Sequence, residues 1–374
     1  MEHLGAHMQD KSKRAFLQNC LKLGAGAILP NVFLPYSHAW AANTEIETRK
    51  KQLAKYHFNF NSPYLTSDYE SNAHAHSEIK HIIEETTQHR VHVQINEGGI
   101  NGIGSRLVNG VSYGRYQGAL LSASNLSPKI KELDLLNIPF WSASTENYIR
   151  LVQSPIWQQQ VLNKASKYKL KIMFHYLVGA RTATTIKSYP HTIKSPDDFI
   201  GLQFRIPNSK NLRRLYKMAN AKPRDVHWGL CAEHARKSRF QALDPSIIGL
   251  YSGPDNLKQE IGIISKIETV HDGWIAIANT DFINSLDSKT KQQFLESFER
   301  IQAKQFKRFQ KANQFCETAF IKQGTKIYTP TSNEQQILEN AFGHEKSEWN
   351  NAKIELLGKN GVSLFEKFLK AAKG

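Results

Sequence analysis

Two arginines, Arg181 and Arg205, are the residues of this sequence best suited to bind an anion. Each lies in a short predicted strand beside the predicted start of a helix. A guanidinium group presents a planar pair of N–H donors that matches both oxygens of a carboxylate, which the ammonium of lysine does not reproduce. We therefore predict that they bind a carboxylate; an ion pair at the surface is the alternative role for either residue.

The residues around Arg205 indicate how the chain holds it. The run SPDD at 195–198 predicts a helix start, because serine caps free amides, proline fits the first turn and aspartates complement the positive end. In the strand that follows, apolar and polar residues alternate, so Arg205 faces away from Phe204 and Ile206. Arg205 is thus predicted to point out of the core.

The amino-terminal half predicts a strand, a helix and a second strand, at 55–60, within 67–88 and at 91–95. Such a unit implies a parallel sheet with a right-handed crossover. The run QGALLSAS at 117–124 predicts a third buried strand. Its Ser122 either lines a pocket at the strand end, where open α/β sheets place ligands, or only terminates the strand. Both readings remain open.

A possible metal site occurs in the first predicted helix, where His74, Glu78 and His81 share one face. No cysteine or histidine pair downstream completes it, and a polar outer helix face requires no metal. We predict no metal ligand here.

The glycine-rich run at 98–104 lacks the spacing and the lysine of a phosphate-binding loop, so it predicts a turn that leads into a helix.

Composition and charge restrict the class of protein. The 374 residues suffice for two lobes, and the net charge of +16 favours anionic partners. A nucleic-acid reading module is absent from the sequence, so we expect no nucleic-acid partner. Residues 1–42 combine a basic start, an apolar middle and a small-residue exit at 39–41, which predicts a signal peptide similar to twin-arginine signals and a periplasmic location.

Three segments resemble one known family. Arg181 precedes KSPDDFIGLQFRIP, and the runs LDLLNIPFWSASTENYIRLV and NAKPRDVHW accompany it. Together they resemble the solute-binding proteins of tripartite ATP-independent periplasmic (TRAP) transporters, in particular those that bind organic acids. The resemblance extends from about residue 55 to about residue 343.

This resemblance implies an α/β fold of the two-lobed periplasmic binding protein type (type II-like), with a ligand cleft between the lobes and a long bracing helix, predicted at 288–322. We expect residues 43–178 with 268–315 to form lobe I. Residues 179–267 with 316–374 are expected to form lobe II. The signal peptide precedes both.

The resemblance also implies which residues bind the ligand. It matches both arginines to ligand-contacting arginines of the family and places Phe140 near the cleft. Trp228 is either a pocket residue or a packing residue between lobes, and Ile248 stands, on one alignment, where many relatives carry a polar asparagine. The expected ligand-binding residues are Arg205, Arg181, Trp228, Phe140, Ser122 and Tyr251.

The sequence shows no nucleophile elbow, no metal-protease helix and no phosphate-binding lysine motif. We therefore expect a binding protein without catalytic residues or a cofactor. Its expected role is to bind a small organic acid and deliver it to the membrane permease subunits of a TRAP transporter. The alternatives are an exported hydrolase of unknown class and a basic polyanion-binding protein.

Overall fold

The structure is a computed structural model that describes residues 34–65 and 76–374, with side chains from 44 to 65 and from 78 onward. The predicted signal peptide lies largely outside this range, and so does His74 of the possible metal site. The chain divides into two compact units after Leu53, and the second unit, Ala54–Gly374, contains both sheets. Within the described residues, no helix is both long enough and apolar enough to cross a membrane.

The helices and strands are numbered here in chain order. The helices are α1 Leu34–Leu53, α2 His76–Thr86, α3 Ser105–Ser112, α4 Thr145–Gln153, α5 Pro155–Gln160, α6 Lys210–Met218, α7 Cys231–Arg236, α8 Ile247–Tyr251, α9 Thr280–Ser285, α10 Ser288–Lys322, α11 Ser332–Phe342, α12 Asn350–Leu357 and α13 Gly361–Lys373. The strands are β1 Tyr56–Asn61, β2 Val91–Asn96, β3 Gly118–Ser122, β4 Leu170–Ala180, β5 Ala183–Ile186, β6 Gln203–Ile206, β7 Lys222–Asp225, β8 Ala242–Leu243, β9 Ile261–Ser265, β10 His271–Asn279 and β11 Lys326–Tyr328.

The first sheet has the strand order β2-β1-β3-β10-β4. Strands β1, β2 and β3 run parallel, as the predicted strand-helix-strand unit requires, and β10 pairs antiparallel with β3 and β4. Every residue of β3 and β10 is buried, which is typical of strands covered on both faces. Gly118 is required at the start of β3, because a Cβ there would lie 2.4 Å from the Phe58 ring.

The second sheet has the order β11-β9-β5-β8-β6-β7. Strand β6 pairs parallel with β7 and β8, which places Arg205 between Arg224 on one side and Leu243 on the other. The edge strand β7 contains Pro223, whose missing N–H excludes it from the interior of a sheet.

The chain crosses directly between strands of the two sheets at residues 181–182 and at residues 266–270, and it crosses a third time through α9 and α10, which connect β10 to β11. Helix α10 contacts strands of both sheets, which confirms the predicted long bracing helix at its predicted bounds. The side-chain amide of Gln305 fixes this helix to β4, since it accepts from Leu177 N at 2.8 Å and donates to Leu177 O at 2.7 Å. The two-sheet α/β architecture agrees with the predicted fold class.

Two details differ from the sequence-based expectations. The carboxyl-terminal helices α12 and α13 pack against elements of residues 131–160, for example through Trp141 on Phe365, whereas the sequence placed all of 316–374 in lobe II. Arg181 was expected within a strand, but it lies between the end of β4 and the start of β5. There it forms an isolated antiparallel bridge with Ser246. Both differences arise from long-range packing, which local patterns do not record.

Candidate ligand-binding site

A cavity of about 320 Å³ lies where residues of both sheets meet. Four of the six predicted ligand-binding residues line it, namely Arg205, Arg181, Trp228 and Ser122. The rest of its described wall consists of Pro63, Ile103, Gly104, Ser105, Leu120, Leu121, Asn125, Pro128, Pro207, Asn208, Asp225, Val226, His227, Pro245, Gly249, Asp272 and Trp274. This volume is at the lower end of small-molecule sites, which span roughly 300–1,000 Å³.

Arg205 is a buried cation without an anionic partner. The residue is 3 % exposed, and no carboxylate of the described residues lies within 4 Å of its guanidinium nitrogens. Its Nε and Nη2 both donate to the carbonyl oxygen of Val226, at 3.1 and 2.9 Å, and the group lies over the ring of Trp228. Since an unpaired buried charge is costly, the site favours a bound anion.

The local sequence holds Arg205 as predicted. Its neighbours Phe204 and Ile206 are fully buried in β6, and Ser209 caps helix α6 by accepting from Leu212 N at 3.1 Å. The SPDD run forms a single 3-10 turn, Pro196–Phe199, in which the Ser195 N–H donates to Asp198 Oδ2 at 2.8 Å. The strand is therefore fixed at both ends.

The start of helix α3 forms part of the cavity wall. Gly104 and Ser105 line the cavity, and the first amides of a helix have no partner within the helix. The glycine-rich run thus forms the predicted turn into a helix, and the positive helix end supports an anion. Gly104 has φ +67°, and a Cβ there would lie 2.7 Å from the side-chain oxygen of Asn125.

Three further wall atoms are unsatisfied. Ser122 Oγ, Trp228 Nε1 and Arg181 Nε are buried and have no hydrogen-bond partner in the described part of the chain. Trp228 begins the 3-10 turn Trp228–Leu230 after β7. Because buried donors normally have partners, each can bind a ligand atom.

Arg181 is held by two carboxylates and is not a free cation. Its Nη1 lies 2.9 Å from Asp244 Oδ1 and its Nη2 lies 2.7 Å from Asp272 Oδ1. All three side chains are almost fully buried, so the ion pair considered for Arg181 exists in the interior instead of at the surface. Burial raises the pKa of the Asp244 carboxyl, although Arg181 opposes that shift.

Phe140 and Tyr251 do not line the cavity. Phe140 has φ +63° and donates its N–H to the carbonyl oxygen of Thr269 at 2.7 Å. The ring of Tyr251 packs edge-on against Phe315 and Phe320. Ile248 is fully buried and is also absent from the wall. Trp274, in strand β10, also lines the cavity. The sequence analysis did not predict this residue as part of the site.

The side chains considered for a metal form ion pairs. Glu78 contacts Lys304 at 2.8 Å and Arg308 at 3.1 Å, both from helix α10. His81 lies 3.3 Å from Glu85 on its own helix. This face of α2 therefore fastens the helix to α10.

Comparison with known proteins identifies what the chain resembles. The family model "DctP: Bacterial extracellular solute-binding protein, family 7" matches residues 62–238. A search of curated protein sequences finds no match.

Solved structures of TRAP periplasmic binding proteins share the fold. The sugar acid binding protein of Advenella mimigardefordensis, in complex with galactonate, has a TM-score of 0.75 at 15 % identity over 85 % of this chain and 97 % of that one. A TRAP periplasmic solute binding protein from Sulfurospirillum deleyianum, with bound succinate, has a TM-score of 0.73 at 15 % identity over 84 % and 99 %. One from Pseudomonas aeruginosa, with bound L-malate, has a TM-score of 0.71 at 16 % identity over 79 % and 99 %.

Proposed function

We propose that this chain, whose residues 62–238 match the model of family 7 of the bacterial extracellular solute-binding proteins, binds a small organic carboxylate and delivers it to a TRAP-type secondary transporter. The observation that carries the proposal is Arg205, a buried guanidinium that has no anionic partner among the described residues. A ligand carboxylate supplies that partner and accepts the guanidinium donors that Val226 O leaves unused.

Two features of the cavity and one comparison with solved structures support an anion at this position. The first turn of α3 brings a positive helix end to the same wall as Arg205. Ser122 Oγ and Trp228 Nε1 supply unsatisfied polar atoms. The solved structures that share the fold contain galactonate, succinate and L-malate, which are all carboxylates.

Ligand binding would couple to closure of the two sheets over the cavity. The crossings at 181–182 and 266–270 are short, and the cavity wall draws residues from both sides of them. A ligand that contacts both walls binds the closed form more tightly, and only that difference shifts the equilibrium. The closed surface is then what the permease subunits recognise.

The protein would act in the periplasm after loss of residues 1–42. Export predicts a periplasmic product that begins near Ala42 or Asn43, which amino-terminal sequencing of periplasmic material determines. A full-length product retained in the cytoplasm would contradict this location.

The structure does not favour a hydrolase. A serine nucleophile requires a neighbouring base, and Ser122 Oγ has no hydrogen-bond partner among the described residues. The matched family is described as one of bacterial extracellular solute-binding proteins. We therefore propose binding of a small acid as the function of the cavity.

The proposed function is tested by thermal shift with a panel of organic acids, followed by calorimetric titration of Arg205→Met. The variant keeps most of the side-chain volume but removes the cation, so binding of the best acid should fall at least 30-fold. Arg224→Met is the matched control, because Arg224 is the exposed partner of Arg205 in register on β7. Equal affinity in both variants, or stabilisation of the protein by neutral sugars or amines alone, would contradict the proposal.

A further inference from the structure

We propose that the cavity selects acids with one carboxylate and an apolar body over dicarboxylates and sugar acids. This inference rests on the proposed function and concerns the same cavity. It depends on the charge around Arg181 and on the composition of the remaining wall.

The cavity offers one available cation, not two. Arg181 and Arg205 are the two lysine or arginine residues among the described residues of the wall. Arg181 is bonded to both Asp244 and Asp272, so this trio has no net positive charge whether or not Asp244 is protonated. Asp225, also on the wall, pairs with Arg213, which does not line the cavity.

A second carboxylate beside Arg181 would meet a trio with no net positive charge, whose unused guanidinium donor is Nε. Burial of a charge without a neutralising cation is costly. A monocarboxylate uses Arg205 and leaves the rest of the cavity to uncharged atoms. Charge thus favours acids that carry one carboxylate.

The rest of the wall is mainly apolar. It contains Pro63, Ile103, Leu120, Leu121, Pro128, Pro207, Val226, Pro245 and Trp274. A sugar acid carries a hydroxyl on nearly every carbon, and each buried hydroxyl requires a hydrogen-bond partner. Ser122 Oγ, Trp228 Nε1 and Arg181 Nε are unsatisfied, and the other uncharged polar side chains of the described wall are Ser105, Asn125, Asn208 and His227. This is a sparse set for a ligand with a hydroxyl on nearly every carbon.

The volume suits a compact ligand. A volume of about 320 Å³ accommodates a small carboxylic acid. Hexanoate and phenylacetate are therefore suitable probes, since each combines one carboxylate with a small apolar chain or ring. Succinate and galactonate are the matched competitors, since they add a second charge or several hydroxyls.

The inference is tested by titration calorimetry with these four acids. The protein used is residues 43–374, refolded to remove any bound ligand. Hexanoate or phenylacetate should bind at least ten-fold more tightly than succinate and galactonate. A preference below three-fold, or the reverse order, would overturn the selectivity and leave the proposed function standing. Failure of all four acids to bind would overturn the selectivity, and failure of every acid of the wider panel would overturn the proposed function as well.

A charge substitution tests the argument about Arg181 separately. Asp272→Asn keeps the side-chain shape but removes one carboxylate from Arg181, so the affinity ratio of succinate to hexanoate should rise at least five-fold. Asp244→Asn removes the other carboxylate that contacts Arg181, and it replaces the first variant if that variant does not fold. Asp225→Asn is the control, because it removes a wall carboxylate that does not contact Arg181. An unchanged ratio in the folded variant would overturn the argument.

Discussion

The guanidinium carbon of Arg205 lies 5.2 Å from the centroid of the Trp228 ring. Two of its nitrogens donate to Val226 O, so the carbonyl and the ring together determine where the cation lies. Both contacts are with uncharged groups, so neither supplies a negative charge. Binding of an anion should therefore depend on both residues, in different ways.

Replacing Trp228 tests the positioning of the cation. Trp228→Ala removes the cation–π contact, which contributes about 0.5–2 kcal/mol, and should weaken binding of the best acid by about 3- to 30-fold. Trp228→Phe keeps an aromatic face but loses Nε1, so its loss should be smaller. Calorimetric titration of both variants compares them, and equal losses would assign the effect to the indole N–H.

Replacing Arg205 with lysine tests whether binding requires the planar pair of N–H donors of the guanidinium group. The charge remains, but the bidentate geometry is lost, so Arg205→Lys should weaken binding by at least about 1.5 kcal/mol. Folding should be largely intact, because lysine retains most of the aliphatic stem. Normal melting together with unchanged affinity would mean that Arg205 has only a structural role.

Removing Arg181 should affect stability more than recognition. Arg181→Met leaves the carboxylates of Asp244 and Asp272 buried without their cation, which should lower the free energy of unfolding by about 3–5 kcal/mol. Arg224→Met, at an exposed position, should cause little change. Denaturant unfolding measures both. A loss below about 1 kcal/mol would show that the two carboxylates do not depend on Arg181.

Two buried histidines should make the protein sensitive to acid. Burial lowers the pKa of His175 and of His271 to about 3, below the ordinary value of 6.5. Between these values the unfolded chain binds more protons than the folded one, so stability falls as the pH falls from about 6.5 towards 3. His271→Phe preserves the stack on Tyr148, whose ring lies 4.0 Å away.

The His271→Phe variant should therefore show a weaker loss of melting temperature between pH 7 and pH 5 than the unchanged protein. Thermal melting across that range measures the difference. Parallel profiles for the two proteins would place the acid sensitivity elsewhere in the chain.

Local patterns predicted those parts of the fold that depend on neighbouring residues. Alternation in β6 placed Arg205 opposite its apolar neighbours, and its side chain lines the cavity. Helix α10 also begins and ends at the residues predicted for it. The alternation in β6 is complete within one strand, so the local sequence is sufficient to predict it.

The tertiary structure alone decided which residues share the cavity. Arg181 pairs with carboxylates 63 and 91 residues away, and no local pattern indicates that neutralisation. Phe140 and Tyr251 lie in segments predicted to be near a pocket, yet the first does not line it and the second turns its ring towards α10. Side-chain direction and charge compensation depend on elements packed from distant parts of the chain, and sequence spacing does not encode them directly.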